Sequence, residues 1–298
     1  MNRLLIIGSG DVAARAMPWL RRHFEVSALV RSDEAASRWQ GLGARVIRGD
    51  LDRRESLRRL AGLAEYLLIC APPPDAGEDD PRIRRLLAAL TRGGRFLRSV
   101  VYVSTSGVYG HCDGAVVQEH RAPAPRSARG RRRLAAETRL RAHALASGGA
   151  LRILRAPGIY AAERLSLARL ERGDPVLRAE EDVFTNHVHA DDLARAACLA
   201  LFRGPRLRVF NTCDDSDLRM GDYYDAMADL AGLPRPPRLS RAECARRLTA
   251  LSMSFMSESR RLSNARIRRE LRWQPRHPDV LEGLQHALAQ RCKEQQGN

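Results

Sequence analysis

Lysine is nearly absent from this chain: Lys293 stands alone among 51 basic residues, so the positive charge is almost entirely arginine. No apolar run is long enough to span a bilayer, and no membrane partner is expected. The opening MNRLLIIGSG is too short for a signal-peptide core and runs directly into a glycine loop, so the expected location is cytoplasmic. None of the six cysteines (Cys70, Cys112, Cys198, Cys213, Cys244, Cys292) sits at a CxxC spacing. That pattern suggests neither a zinc site nor a redox pair and leaves reduced thiols as the expectation. No internal repeat or low-complexity linker divides the 298 residues, a length that suits one large domain or two coupled ones.

What is present is a formal net charge of +16. Nucleic acid is the tempting partner for such a charge. The arginines, however, are spread along the whole chain, mostly on polar helix faces between apolar positions. A nucleic-acid footprint would cluster on one face or in a recognisable module, so no nucleic-acid partner is expected. Hydrophobic residues make up 44% of the chain, enough for a globular core.

Short apolar runs at 3–8, 25–31, 44–50, 64–74, 99–110 and 149–160 read as strands. Helical spacing fills the intervals, including 12–23 and 53–62. After residue 160 the rhythm loosens into a short helix at LSLARLERGDP, then a strand and helix over 183–202 that Asp191 or Asp192 is placed to cap, then a strand at 206–215. The remainder is helical, with proline-rich breaks at 232–240 and 273–279. This alternation predicts an α/β fold: a doubly wound parallel sheet with helices on both faces and a smaller C-terminal lobe.

The first strand runs into IIGSGDVAARA, where Gly8, Gly10 and Ala13 form GxGxxA between a strand and a helix. Gly8 permits the tight turn, Gly10 lets a pyrophosphate approach the backbone, and the helix N-terminus then faces the anion. Ser9, Asp11 and Val12 complete the loop. The pattern predicts an NAD(P)-binding Rossmann fold. The dinucleotide-binding domain is expected over 1–155, with 183–213 returning to it, and a mainly helical substrate-binding lobe over 156–298. The second strand ends at LVRS, where an NAD site would usually carry Asp or Glu. Arg31, with Ser32 beside it, suits a 2′-phosphate and favours NADP(H) over NAD(H). Asp33 is the rival that would restore NAD, and a solvated arginine is the plain alternative.

The order of GxGxxA, VRS, GDL (49–51), CAPPP, VYVSTSGVYG, LRAPGIY, NHVHADDLA and FNTCDD resembles the extended short-chain dehydrogenase/reductases. Within them it is similar to the NAD-dependent epimerase/dehydratase-like group, and closest to its atypical branch. The resemblance implies that Asp50 and Leu51 contact the adenine, that Ala71, Pro72 and Pro73 lie along the cofactor, and that Pro157 to Tyr160 border the nicotinamide. It implies a small-molecule substrate in the smaller lobe and allows a homodimer. Catalysis in the family uses a Ser/Thr that orients the substrate oxygen, a Tyr acid/base and a Lys four residues later. Thr105 matches the first. The stretch PRSARGRRRLAAE places Arg129 where the Tyr is expected and Arg133 where the Lys is expected, and no Tyr-xxx-Lys occurs anywhere.

Arg129 cannot shuttle a proton near neutral pH, because guanidinium stays charged to above about pH 12. Arg133 can still offer charge and donors to the cofactor ribose or phosphate. Three readings stand open. Another residue serves as acid/base, with Tyr109, Tyr160 and His111 nearest by family position and Tyr109 favoured by a phenol pKa lowered beside arginines. Or the site binds NADP(H) and a ligand without classical hydride chemistry, as a sensor. Or residues 126 to 133 are a solvated helix start. Elsewhere, HVHADD puts His187, His189 and Asp191 on one face, but no further ligand converges, so no metal is expected. Glu137 is placed for an i,i+4 pair with Arg133. Arg261 and Asn264 would position the last helix or meet a substrate anion. The expected function is that of an NADP(H)-preferring oxidoreductase or epimerase-like enzyme on a small polar carbonyl or hydroxyl compound.

Overall fold

The computed structural model describes residues 1–94 and 96–296. Seven strands form one parallel sheet: β1 (Asn2–Ile7), β2 (Phe24–Val30), β3 (Arg45–Arg48), β4 (Tyr66–Ile69), β5 (Ser99–Thr105), β6 (Ala150–Ala156) and β7 (Leu207–Asn211). Their order is β7-β6-β5-β4-β1-β2-β3, so the winding direction reverses beside β1. Ligands of such sheets bind outside the carboxyl ends of the strands at that reversal.

The apolar runs form strands because both of their faces are covered. In β1, Leu4 and Ile6 join one core layer while Leu5 and Ile7 join the other, and all four are fully buried. The first layer is closed by α1 (Asp11–Leu20), α2 (Asp33–Gly41) and α6 (Ala190–Ala200), through Val12, Met17, Leu20, Trp39, Leu193 and Ala197. The second is closed by α3 (Pro81–Thr91) and α4 (Ala128–Ser147), through Ile83, Leu86, Leu90, Leu140 and Ala144. The helical pattern at 53–62 forms a 3-10 helix over Arg54–Leu60.

The single strand expected over 149–160 is broken. Pro157 has no N–H to continue the ladder. Past it, Gly158–Tyr160 leaves the sheet and pairs in parallel with His187–His189. From there the smaller lobe is built by α5 (Leu167–Glu171), α7 (Met220–Ala231), α8 (Arg241–Arg247), α9 (Ala250–Phe255) and α11 (Val280–Gln296), whereas α10 (Ala265–Leu271) returns to the first core layer of the sheet through Ile267 and Leu271. Its core joins Tyr160, Leu170, Tyr223, Met227 and Leu284. Among the described residues no helix is long and apolar enough to cross a membrane.

The α6 N-terminus differs from expectation. His189 is its cap, accepting through Nδ1 from the Asp191 N–H at 3.3 Å. Asp192 is buried and accepts from the N–H groups of Arg276 (2.8 Å) and His277 (3.0 Å), which fastens the proline-rich 273–279 segment. Asp191 pairs with Arg15 at 2.7 Å. Both carboxylates are drawn off by donors remote in sequence, so the residue before them caps.

Candidate functional site

A cleft of about 1400 Å³ lies along the carboxyl ends of the strands. Its floor begins at Gly8, whose φ of +92° and tight packing exclude a side chain: a Cβ there would lie 2.2 Å from the Ala71 nitrogen. At Gly10 the opposite holds, since an added Cβ meets nothing within 4 Å. Gly10 also caps α1 without a side chain, which leaves the leading N–H groups of that helix facing open space. That combination is a cradle for an anion. The loop is anchored by Trp39, whose Nε1 donates to the Ser9 carbonyl at 3.0 Å. Asp11 is held by Arg15 at 2.7 Å.

At the far end of β2, Arg31 is exposed and forms no hydrogen bond or ion pair among the described residues. Ser32 caps α2 by accepting from the Ala35 N–H at 3.2 Å. Asp33, the rival for a ribose contact, is fully exposed, is paired with Arg48, and does not line the cleft. Asp50, Leu51, Ala71, Pro72 and Pro73 line the cleft between these two ends.

The other half is arranged around Thr105, Arg129, Arg133, Pro157 and Tyr160. Thr105, 9% exposed, ends β5 and accepts from the Gly107 N–H at 3.2 Å. Ser127 caps α4 through the Gly130 N–H at 3.1 Å and thereby aims the arginine-rich first turn into the cleft. Arg133 donates from Nη1 to the carbonyls of Val103 (2.9 Å) and Ala71 (3.3 Å) and to the Tyr102 hydroxyl (3.2 Å). It therefore ties the ends of β4 and β5 together. Burial pushes the Tyr102 phenol up to about 12, against the pull of Arg133. Arg129 remains exposed, its guanidinium 4.9 Å from the Phe255 ring centroid.

The tyrosines and His111 correct the acid/base expectation. Tyr109 is 1% exposed and lies outside the cleft, donating to Asn211 Oδ1 at 2.8 Å. Its arginine neighbour is Arg155, 4.6 Å over the ring, and not Arg129 or Arg133. Burial raises its pKa and outweighs Arg155, the reverse of the lowering expected. The Tyr160 hydroxyl is buried without a hydrogen-bond partner among the described residues and packs on α11, where Gly283 makes room; burial, more than the nearby carboxylates, raises its pKa. His111 lies outside the cleft between Asp113 (2.8 Å) and the Ser259 N–H (3.0 Å).

One further expectation is corrected. Glu137 does not pair with Arg133. It is bound by Arg155 at 2.7 and 3.1 Å and accepts from Ser104 at 2.6 Å, with the ion-paired side chains 3% and 2% exposed. His187 is buried and stacked on Tyr223 at 4.0 Å. Arg261 donates to the Gly114 carbonyl, and Asn264 to the carbonyls of Cys213 and Asp214, away from the cleft.

Sequence reasoning missed Glu258 and Arg260. Both line the cleft and are paired at 2.8 Å, with Glu258 9% exposed. Arg260 also donates to the Gly110 carbonyl at 2.8 Å. From the position of a Cβ built on Gly107, Thr105 Oγ1 is 3.5 Å away and Glu258 Oε2 4.0 Å. The Glu258 carboxylate and the Thr105 hydroxyl thus both border Gly107 on the cleft wall. The only signal was its place in SESRRLSN, the segment whose Arg261 and Asn264 drew attention instead.

The NAD(P)H-binding family matches residues 8–202 of this chain. No curated protein matches it by sequence. Among solved structures, a conserved protein of unknown function from Silicibacter pomeroyi is 28% identical, with a TM-score of 0.80 over 97% of this chain and 99% of its own. The UDP-glucose 4-epimerase of Thermotoga maritima, solved with UDP-glucose, is 18% identical, with a TM-score of 0.77 over 99% of each chain. The UDP-glucose 4-epimerase of Thermus thermophilus, solved with NAD, is 20% identical, with a TM-score of 0.73 over 96% of this chain and 98% of its own. At these identities the two epimerases share the fold of this chain.

Proposed function

The chain belongs to the NAD(P)H-binding family, and from that membership we propose that it is an NADP(H)-preferring oxidoreductase or epimerase-like enzyme acting on a small polar carbonyl or hydroxyl compound, such as a sugar nucleotide. The observation that carries the preference is Arg31, at the end of β2 without a hydrogen bond or ion pair among the described residues, while Asp33 is engaged by Arg48 outside the cleft. An arginine there offers a 2′-phosphate charge-assisted hydrogen bonds that NAD lacks. The loop from Gly8 to Val12 would hold the pyrophosphate, Asp50 and Leu51 the adenine side, and Ala71, Pro72 and Pro73 the middle of the dinucleotide. When bound, the nicotinamide supplies a hydride donor or acceptor.

The chain's own part is to hold the substrate oxygen and move its proton. Thr105 holds the oxygen. Glu258 takes the proton from a hydroxyl or returns it to a carbonyl, the part the family gives to tyrosine, because Tyr109 and Tyr160 direct their hydroxyls elsewhere. Arg133 keeps the cleft floor in shape, and Arg129 presents positive charge to the substrate.

Calorimetric titration of NADP(H) and NAD(H) on wild type and Arg31→Ala tests this reading. NADP(H) should bind more tightly than NAD(H), and the substitution should weaken NADP(H) alone by roughly 10- to 100-fold, the worth of one charged hydrogen bond. Equal weakening of both would remove Arg31 from the phosphate, and no binding of either would end the cofactor reading. The exposed charge of Arg129 at the tyrosine position favours a second reading, an NADP(H)-bound sensor without hydride chemistry. Under it, Glu258→Gln would leave every property of the bound dinucleotide unchanged.

A further inference from the structure

A second cavity, of about 360 Å³, lies between α4, the edge strand β7 and the 119–123 loop, and shares no lining residue with the cleft. Five arginines line it: Arg121, Arg141, Arg155, Arg208 and Arg266. The carboxylates at hand are already committed. Glu137 is bound to Arg155 at 2.7 Å, Glu119 to Arg266 at 3.4 Å, and Glu270 to Arg208 at 2.6 Å. Glu119 and Glu137 are almost wholly buried and cannot turn to further partners. The side chains of Arg121 and Arg141 are left without a hydrogen bond or ion pair among the described residues. Arg155, which also lines the cavity with its guanidinium 4.6 Å over the Tyr109 ring, keeps a buried Nη1 with no hydrogen-bond partner among the described residues. Two cations without a counter-ion therefore line one pocket together with Arg155.

Like charges gathered in one pocket repel unless an anion joins them. From this we infer that the cavity is a second ligand site, for a doubly charged oxyanion: inorganic phosphate, or the phosphate of a small monoester. The volume lies within the range of small-molecule sites. Planar guanidinium groups bind such oxygens in pairs. The site continues a stripe that begins in the cleft. Positions 129, 133, 137 and 141 follow one another at i,i+4 along α4. Arg129 and Arg133 line the cleft, whereas Glu137 and Arg141 line the cavity.

The test is calorimetric titration with inorganic phosphate at constant ionic strength, on wild type, Arg141→Ala and Arg141→Lys. Arg141 is away from the glycine loop, so its effect separates this cavity from phosphate held at α1. Saturable binding that Arg141→Ala weakens at least about tenfold and Arg141→Lys partly restores is the expected result. Unchanged melting of both variants in phosphate-free buffer verifies that they fold. Repeating the titration with ribose 5-phosphate identifies the source, since a tighter monoester marks an organic phosphate and equal binding marks the free ion. Wild-type binding that Arg141→Ala leaves unaltered, or none beyond that of chloride, overturns the proposal. Neither outcome depends on whether the cleft binds NADP(H).

Discussion

Removing the Glu137 carboxylate should be among the most damaging single changes to this fold outside the apolar core. Glu137 and Arg155 are 2% and 3% exposed, joined by two hydrogen bonds of 3.1 and 2.7 Å. Glu137 also accepts from Ser104, the residue before Thr105. Glu137→Ala would leave a guanidinium buried without its counter-ion, which in comparable pairs costs about 3–5 kcal/mol. At an unfolding entropy of about 2.1 cal/mol/K per residue, a chain of this length loses about 5–8 °C of melting temperature for that penalty. Differential scanning calorimetry and urea unfolding would read it directly. The penalty comes from the stranded charge and not from the pair's own strength. The double change Glu137→Leu with Arg155→Met should therefore recover most of the loss, to within about 1–2 kcal/mol of wild type. A single variant that loses less than about 1 kcal/mol, or a double variant no better than the single, would refute the reasoning.

Two further tests address the glycine loop and the buried histidines. Gly8→Ala meets both a positive φ and the Ala71 backbone and should cost more than about 2 kcal/mol, whereas Gly10→Val enters open space from an extended backbone and should keep stability within about 1 kcal/mol while abolishing NADP(H) binding; melting curves beside cofactor titrations decide, and wild-type affinity in Gly10→Val would end the cradle reading. Burial pulls the His187 pKa down to about 3 from its ordinary 6.5, so the native state holds it neutral while the unfolded chain binds a proton. Its contribution is whole above about pH 6.5 and is lost as pH falls towards 3, by up to about 1.4 kcal/mol per pH unit. His189, pulled down to about 4 by burial and then by His277, acts in the same direction over an overlapping window. Urea unfolding across about pH 6.5 to 4 should show a shallower slope in His187→Gln, and an equal slope would contradict the assignment.

Much of the scaffold was legible because it is local. A run such as LLII can be buried on both faces only inside a covered sheet, and GxGxxA after such a run specifies a strand, a tight turn and a helix. Strand spacing then specified the doubly wound order, and the motifs at successive strand ends named residues that meet along one edge of the sheet. Helical periodicity, by contrast, tells which residues share a face and not what lies opposite it. Glu137 and Arg133 share a face of α4, yet Arg133 is taken by carbonyls at the strand ends and Glu137 by Arg155 from β6. Thr105 was legible from the family resemblance, but not that the strand ends at it and that the turn after it carries Tyr109 inward to Asn211. Nor could spacing bring Glu258 to the cleft that Thr105 lines, some 150 residues earlier in the chain. The sheet, its winding and the glycine turn were written into short segments, since burial and backbone geometry act there residue by residue. Which charge meets which was settled across the whole fold, because a buried charge takes the partner that packing delivers, however distant along the chain.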